Sequence, residues 1–264
     1  MKLPNFLCPK HKCELIRLGQ KNDGGYSIPK KSLENSKFIF GFGLSDDWSF
    51  EKDFRKLSGA KVVCYDLSVN GKYWIIRFCK DLINMLLLRK GIFNSLKRFF
   101  TYFRYKLFFD GTNKIHKKKI IAPIDQRIHG IDRSNITDLN QILSGKDNFS
   151  FFLKVDIEKH EYRILDQIIK YQERLTGLAI EFHDCDFHFE KIKNFINNFK
   201  LQLVHVHINN YGDINTHGFA TVIELTFSPH NFNTLREKKD NKFPVVGLDQ
   251  PNNKNRNDET IIFE

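Results

Sequence analysis

The sequence predicts an α/β fold: a mostly parallel sheet flanked by helices, with an antiparallel last strand and one helical insertion. Three observations predict it. Short apolar runs of strand character alternate with segments of helical period, the mark of a parallel sheet. Two such runs near the C-terminus have only a loop between them, which suits an antiparallel hairpin better than a crossover. One long basic and aromatic stretch, about 70–118, breaks the alternation and is too long for an ordinary strand-to-helix connection. The chain has 264 residues, 41% of them hydrophobic, which fits a single domain over 1–264 carrying that insertion.

In chain order, 38–43 (FIFGFG) reads as the first strand and 49–57 as the helix after it. Residues 61–66 (KVVCYD) form the second strand and 120–124 the third. A capped helix is expected over 137–143 (TDLNQIL). Residues 149–156 give the fourth strand, followed by a helix through Tyr171. The fifth strand is 178–182 and the next helix 190–199. Residues 201–208 and 220–227 make the closing hairpin, and the Asn- and Lys-rich tail beyond Pro229 reads as irregular chain. Between 72 and 109, nine basic residues face a single acid, Asp81, interleaved with aromatics, and Gly91 divides two expected helices.

The net charge of +11 favours an anionic partner, whether a phosphorylated substrate, a membrane surface or nucleic acid. Part of that charge is equally explained by an A/T-rich coding bias that enriches Lys, Asn, Ile and Phe. The five cysteines make an odd count without a disulfide framework, which points to a reducing compartment. Cys8, His11 and Cys13 lie close together, but no second ligand pair of zinc spacing follows. The first residues lack a signal peptide's apolar stretch, and no run approaches the roughly 20 apolar residues of a spanning helix. The expected location is cytoplasmic, including the inner face of the membrane.

Chemistry-bearing residues gather at the predicted strand ends. The loop GFGLSDDWSF follows the first strand and opens a helix, where nucleotide-type cofactors sit in open α/β sheets. Gly41 and Gly43 let a backbone approach a ligand, although a tight turn alone would also account for them. Asp66 ends the next strand, about 20 residues on, placed to meet ribose hydroxyls. Asp46 and Asp47 would repel a pyrophosphate but suit a cationic ligand. Asp156 and Glu158 end the fourth strand, Glu181 and His183 the fifth, and His205, His207, Asn209 and Asn210 the sixth. Three polar strand ends beside a cofactor loop make a credible catalytic site.

Several blocks carry a family resemblance. LKVDIEKHEYRIL resembles the hallmark of the FkbM-type methyltransferases, a strand ending in D-x-E followed by a short E-x-x-x-L helix. Lys159 stands where that family usually has Gly. RLGQKNDGGYSIP, FGFGLSDDWSFEKDF, IEFH, HINNYG, VIELTF and GLDQPNN resemble blocks of a methyltransferase-like branch of the same group, covering most of the chain outside 70–118.

The resemblance implies a class I, Rossmann-like, S-adenosylmethionine-dependent methyltransferase with seven strands, the last antiparallel. It implies an O-methyltransferase acting on a small molecule or on a sugar unit of a surface glycan or its nucleotide- or lipid-linked precursor. Ile39 stands where many such enzymes carry an acid. Contact with the methionine moiety therefore falls to Asp46, Asp47 and Ser49 or to the turn Asp23, Gly24, Gly25 and Tyr26. The catalytic candidates are Asp156, Glu181, His183 and His207, with Glu158, Asn209 and Asn210 facing the substrate. Asp156 and His183 are the first choices for the general base that takes the acceptor proton. A divalent metal on Asp156 and Glu181 is the other route to a lowered alcohol pKa, but the sequence holds no complete ligand set and none is predicted. Two rival readings rest on the basic-aromatic stretch: a nucleic-acid-binding or RNA-modifying protein, which lacks any recognisable RNA-binding motif, and a non-enzymatic membrane-surface module. Oligomeric state is left open.

Overall fold

The computed structural model describes residues 1–87, 100–145, 148–237 and 240–264. An antiparallel hairpin, β1 (Leu15–Leu18) and β2 (Tyr26–Pro29), leads into α1 (Lys30–Asn35). There follow β3 (Phe38–Phe42), α2 (Ser49–Ser58), β4 (Lys61–Tyr65), α3 (Gly71–Leu86), α4 (Thr101–Phe108), β5 (Lys114–Lys117) and α5 (Leu139–Leu143). The second half contains β6 (Phe151–Val155), α6 (Leu165–Lys170), β7 (Leu175–Phe182), α7 (Phe189–Asn198), β8 (Gln202–Ile208) and β9 (Ile223–Ser228).

Seven of these strands form one sheet in the order β8-β9-β7-β6-β3-β4-β5. The pairs from β7 through β5 are parallel, and β9 runs antiparallel to both β7 and β8. Alternation of side chains along the central strands feeds two separate cores. Phe40, Phe42, Leu153 and Val155 pack on one face against Leu139, Leu165, Ile168, Ile192 and Phe195 of α5, α6 and α7. Ile39, Val62, Cys64 and Phe152 pack on the other against Phe50 and Phe54 of α2, Trp74 of α3 and Tyr105 of α4. Both faces are therefore covered, as a parallel sheet requires. The result is a Rossmann-like α/β protein whose order reverses between β3 and β6, which is where ligands sit in open α/β sheets.

Local chemistry explains the element ends. Gly59, at φ +73°, closes α2 with its N–H on Arg55 O. Asn70 caps α3 by accepting from Tyr73 N, and Asp138 caps α5 by accepting from Gln141 N.

The structure departs from the sequence reading in four places. The third strand expected at 120–124 is not in the main sheet: Ile120–Ile121 pairs outside it with Ile136–Thr137. The edge strand is Lys114–Lys117, inside the stretch read as wholly helical. Its charged KIHK sequence hid it, because an edge strand tolerates half-exposed Lys where a central one does not. The helix expected directly after Asp156 is preceded by a turn and a 3₁₀ segment, Glu161–Arg163. The tail beyond Pro229 is tied down, with Thr234–Leu235 paired to His11–Lys12 and Ile262–Phe263 to Lys2–Leu3. The divider Gly91, with Arg89, Lys90, Phe93, Lys97, Arg98 and Phe99, lies outside the described residues. Among the described residues, no helix is long and apolar enough to cross a membrane.

Candidate functional site

The C-terminal ends of β3, β6 and β7 meet the β1–β2 hairpin in one polar cluster. Parallel pairing of β6 with β3 carries Asp156 and Gly43 past the last paired residues, and Asp156 N donates to Phe42 O at 2.9 Å. A Cβ on Gly43, at φ +83°, would lie 1.6 Å from Asp156 O, so no side chain fits there. At Gly41 the crowding is milder, since a Cβ would meet the side-chain oxygen Glu51 Oε1 at 2.6 Å.

Tyr26, buried on β2, links the strand ends. Its hydroxyl lies 3.0 Å from Asp156 Oδ2 and 3.2 Å from Glu181 Oε2, and its single proton can serve one of them at a time. Lys154, itself buried in β6, donates to Asp156 Oδ2 at 3.1 Å and to Gly43 O at 3.2 Å. Burial opposes ionisation of Asp156, but the Lys154 ammonium, His183 and the Tyr26 hydroxyl outweigh it and hold its pKa below the ordinary value. Glu181 has the opposite balance. Burial, reinforced by the Asp156 charge, pushes its carboxyl up to about 8, although Asn209 Nδ2 donates to it at 3.0 Å. Two carboxyls a hydroxyl apart are thus driven to different proton affinities.

His183 is held from behind. Its backbone N–H and its Nδ1 contact Oε1 of the fully buried Glu161 at 2.7 and 3.2 Å. Its Nε2 faces Glu181 Oε1 at 3.3 Å and Glu158 Oε2 at 3.5 Å. Burial works against the imidazolium, yet the Glu161 and Glu181 carboxylates raise its pKa to about 11. Near neutral pH His183 therefore carries a proton rather than accepts one.

The cofactor candidates fall into two groups. Gly24 and Gly25 let the hairpin turn abut the α2 entry: a Cβ on Gly24 would sit 2.4 Å from Asp47 Oδ2, and one on Gly25 2.1 Å from Gln20 O. Asp47 accepts from Ser49 N and Ser49 Oγ at 2.9 and 3.0 Å. Burial raises the pKa of both Asp23 and Asp47, and Asp156 and Glu224 raise Asp23 further. Glu51, beneath Gly41, is pushed up to about 7 by burial despite nearby Lys154. Asp66 instead ties the glycine loop. Its carboxylate accepts from Leu44 N, Ser45 N, Ser68 N and Ser68 Oγ at 2.6–3.0 Å, and these bonds lower its pKa against the cost of burial. Asp46 stands apart, ion-paired to Arg77 of α3.

The sixth-strand residues meet the tail. His207 lies 3.2 Å from Glu224 Oε2 and 3.0 Å from Asp258 Oδ1, and its pKa is raised to about 10 by these acids against the effect of burial. His205 pairs with Asp249 at 3.0 Å. Asn210 accepts from Asn253 N at 2.6 Å and donates to Asn257 O at 3.1 Å. Asn252 donates to Glu224 Oε1 at 2.7 Å. His207 and Asn210 thus anchor the tail, whereas Asn209 reaches the Asp156–Tyr26–Glu181 cluster.

Sequence reasoning did not single out Lys154, Glu51, Glu161, Glu224 or Asp258 as site residues. Lys154 and Glu224 had a signal, a lone charge inside an otherwise apolar strand, FFLKV and IELTF. Cys8 and Cys13 are free thiols.

No protein-family model and no curated protein matches the chain. Among solved structures, it is similar to a SAM-dependent methyltransferase from Methanosarcina mazei (10% identity, 78% of this chain and 96% of that one, TM-score 0.35). It is also similar to M. jannaschii TYW2 in complex with AdoMet (10% identity, 82% and 88%, TM-score 0.33). A third likeness is to a precorrin-6y C5,15-methyltransferase from Geobacter metallireducens (10% identity, 75% and 84%, TM-score 0.31). Scores this low do not establish shared chemistry.

Proposed function

We propose that the protein is an S-adenosylmethionine-dependent O-methyltransferase acting on a sugar hydroxyl of a surface glycan or of its nucleotide- or lipid-linked precursor. The observation that carries this reading is the Asp156–Tyr26–Glu181 cluster, set beside a glycine loop where the strand order reverses. The donor set fits the cofactor's cationic end. Asp23, Asp47 and Glu51 are acids whose pKa values burial raises, so a sulfonium and an ammonium group offset a local excess of carboxyls. Asp23, Asp47 and the Gly24–Gly25 turn would hold the methionine moiety, and Asp66 the ribose side of the edge.

S-adenosylmethionine supplies an electrophilic methyl group. The chain's residues must orient the acceptor and take its proton. As the acceptor oxygen is methylated, its hydroxyl proton would leave toward Asp156. Asp156 is the accessible member of the pair, with 27% of its side chain exposed. Glu181, raised to about 8, already holds a proton near neutral pH, so the proton would pass from Asp156 to solvent at its exposed edge. Glu158, 83% exposed at the mouth, is placed to meet acceptor hydroxyls.

A lipid-linked or membrane-borne acceptor is favoured by a cleft of about 630 Å³ lined by Trp74, Ile75, Phe78, Tyr102, Phe103 and Tyr105, with Lys106 and Lys118 among its residues. Tyr105 ties this cleft to the cofactor edge, since its hydroxyl meets His116 Nδ1 at 2.6 Å and His116 Nε2 meets Asp66 O at 3.0 Å. The test is Asp156→Asn. A folded variant should keep its cofactor affinity within a few-fold and lose turnover by about 10²-fold or more, measured with labelled cofactor and cell-envelope glycan fractions. Near-normal turnover would remove Asp156 from the chemistry.

A further inference from the structure

We propose that Asp156, Glu158 and His183 bind a divalent metal ion. One ligand atom from each lies within 4.8 Å of the other two. Ion binding would displace the proton on His183 Nε2, as metal ligation of histidine requires. The hydrogen bonds to the Asp156 carboxylate from Lys154 and Tyr26 both fall on Oδ2, which leaves Oδ1 open. Glu158 projects into solvent with His183 Nε2 as its side-chain neighbour.

Two features of Glu161, which is not one of the three ligands, support a ligand there. The first lies behind the histidine: Glu161 takes the Nδ1 side and directs Nε2 toward the carboxylates, the outer arrangement that orients histidine ligands in metal sites. The second is that Glu161 is 0% exposed and its Oε2 is buried without a hydrogen-bond partner. A buried carboxylate is left in that state at a cost unless positive charge lies close by. Four carboxyl groups, those of Asp156, Glu158, Glu161 and Glu181, surround one imidazole and the Lys154 ammonium. One imidazole with two carboxylates suits a borderline-to-hard divalent ion such as Mn²⁺.

The role of the ion rests on the methyl-transfer reading. Held by Asp156, Glu158 and His183, it would polarise the acceptor hydroxyl and lower its pKa, and the released proton would leave to solvent at the exposed mouth beside Glu158. Binding itself does not depend on that reading. The test is a Mn²⁺ titration followed by electron paramagnetic resonance, with neither S-adenosylmethionine nor acceptor present. The expected result is one ion per chain, bound at least about tenfold more weakly by Glu158→Gln, whose exposed side chain leaves folding intact. Glu190→Gln, an exposed acid elsewhere, should bind as the unchanged protein does. No binding at about 1 mM Mn²⁺, or equal affinity in Glu158→Gln, would overturn the proposal and leave the His183 imidazolium as the cation of the cluster.

Discussion

At the scale of single residues, the chemistry-bearing positions were legible where they punctuate an apolar run. Asp156, Glu181, His183 and Asn209 stand at strand ends, and the chain brings them together around Tyr26. Lys154 and Glu161 were not legible. Their significance lies in which carboxylate or imidazole they meet, and sequence spacing does not encode that. Asp66 shows another limit: its position was readable, but not that four loop donors occupy its oxygens. Lys159 is a residue-scale test of the turn after Asp156. It sits at φ +75°, where the resembling family has Gly, beside Glu158 at φ +51°. Its compensation is an ion pair with Asp184 at 2.7 Å, largely solvated and therefore weak. Lys159→Gly should relieve the left-handed strain and raise the thermal midpoint by about 2–4 °C. A fall in differential scanning calorimetry would mean the ion pair outweighs the strain.

Elements with a clear hydrophobic period were readable, and those stabilised by partners were not. β3, β4, β6 and β7 are buried almost along their full length, so their apolar runs announced them. β1 and β2 were read only as a glycine turn, because their order comes from pairing with each other and from contact with α2 and β9. β5 escaped notice because its charges suit an edge. The α3 and α4 helices were expected from composition, and their surface departs from an ordinary solvated face: Ile75, Leu86 and Leu107 are 67%, 70% and 79% exposed. With Lys72, Lys80, Arg104 and Lys106 on the same two helices, this is the surface we propose meets an anionic membrane. Each Lys or Arg near such a surface is worth about 1 kcal/mol, screened by salt. The protein should sediment with anionic but not neutral liposomes at low salt. Lys80→Ser with Lys106→Ser should weaken that binding by about tenfold. Equal absence from both vesicle pellets would leave α3 and α4 as a lid or an interface.

For the whole molecule, the buried ionisable groups set a direction of pH dependence. His183 and His207, with folded pKa values of about 11 and 10, contribute stability that is fully present below about 6.5 and is lost as pH rises through those values. Glu181 and Glu51, raised to about 8 and 7, act in the same direction, because the folded state keeps protons that the unfolded state releases above about 4.3. Asp249, lowered to about 2, loses its contribution only as pH falls through that value. Denaturant unfolding should therefore give a stability that declines from about pH 6 to pH 10, and a flat or rising profile would contradict the charge assignments. The fold class was legible as a whole because the alternation of strands and helices and the short final connection leave few topologies open. The tail's contribution was not, since Asp249, Asn252 and Asp258 act only after the chain returns across β8 and β9. The central claim, that the edge around Gly41, Gly43 and Asp66 receives S-adenosylmethionine, is tested most directly by calorimetric titration of that compound into the purified protein. The account predicts one site per chain, weakened about tenfold or more by Asp66→Ala, because that change removes the four hydrogen bonds that shape the glycine loop. No binding at about 1 mM cofactor, or unchanged affinity in a folded Asp66→Ala protein, would contradict it.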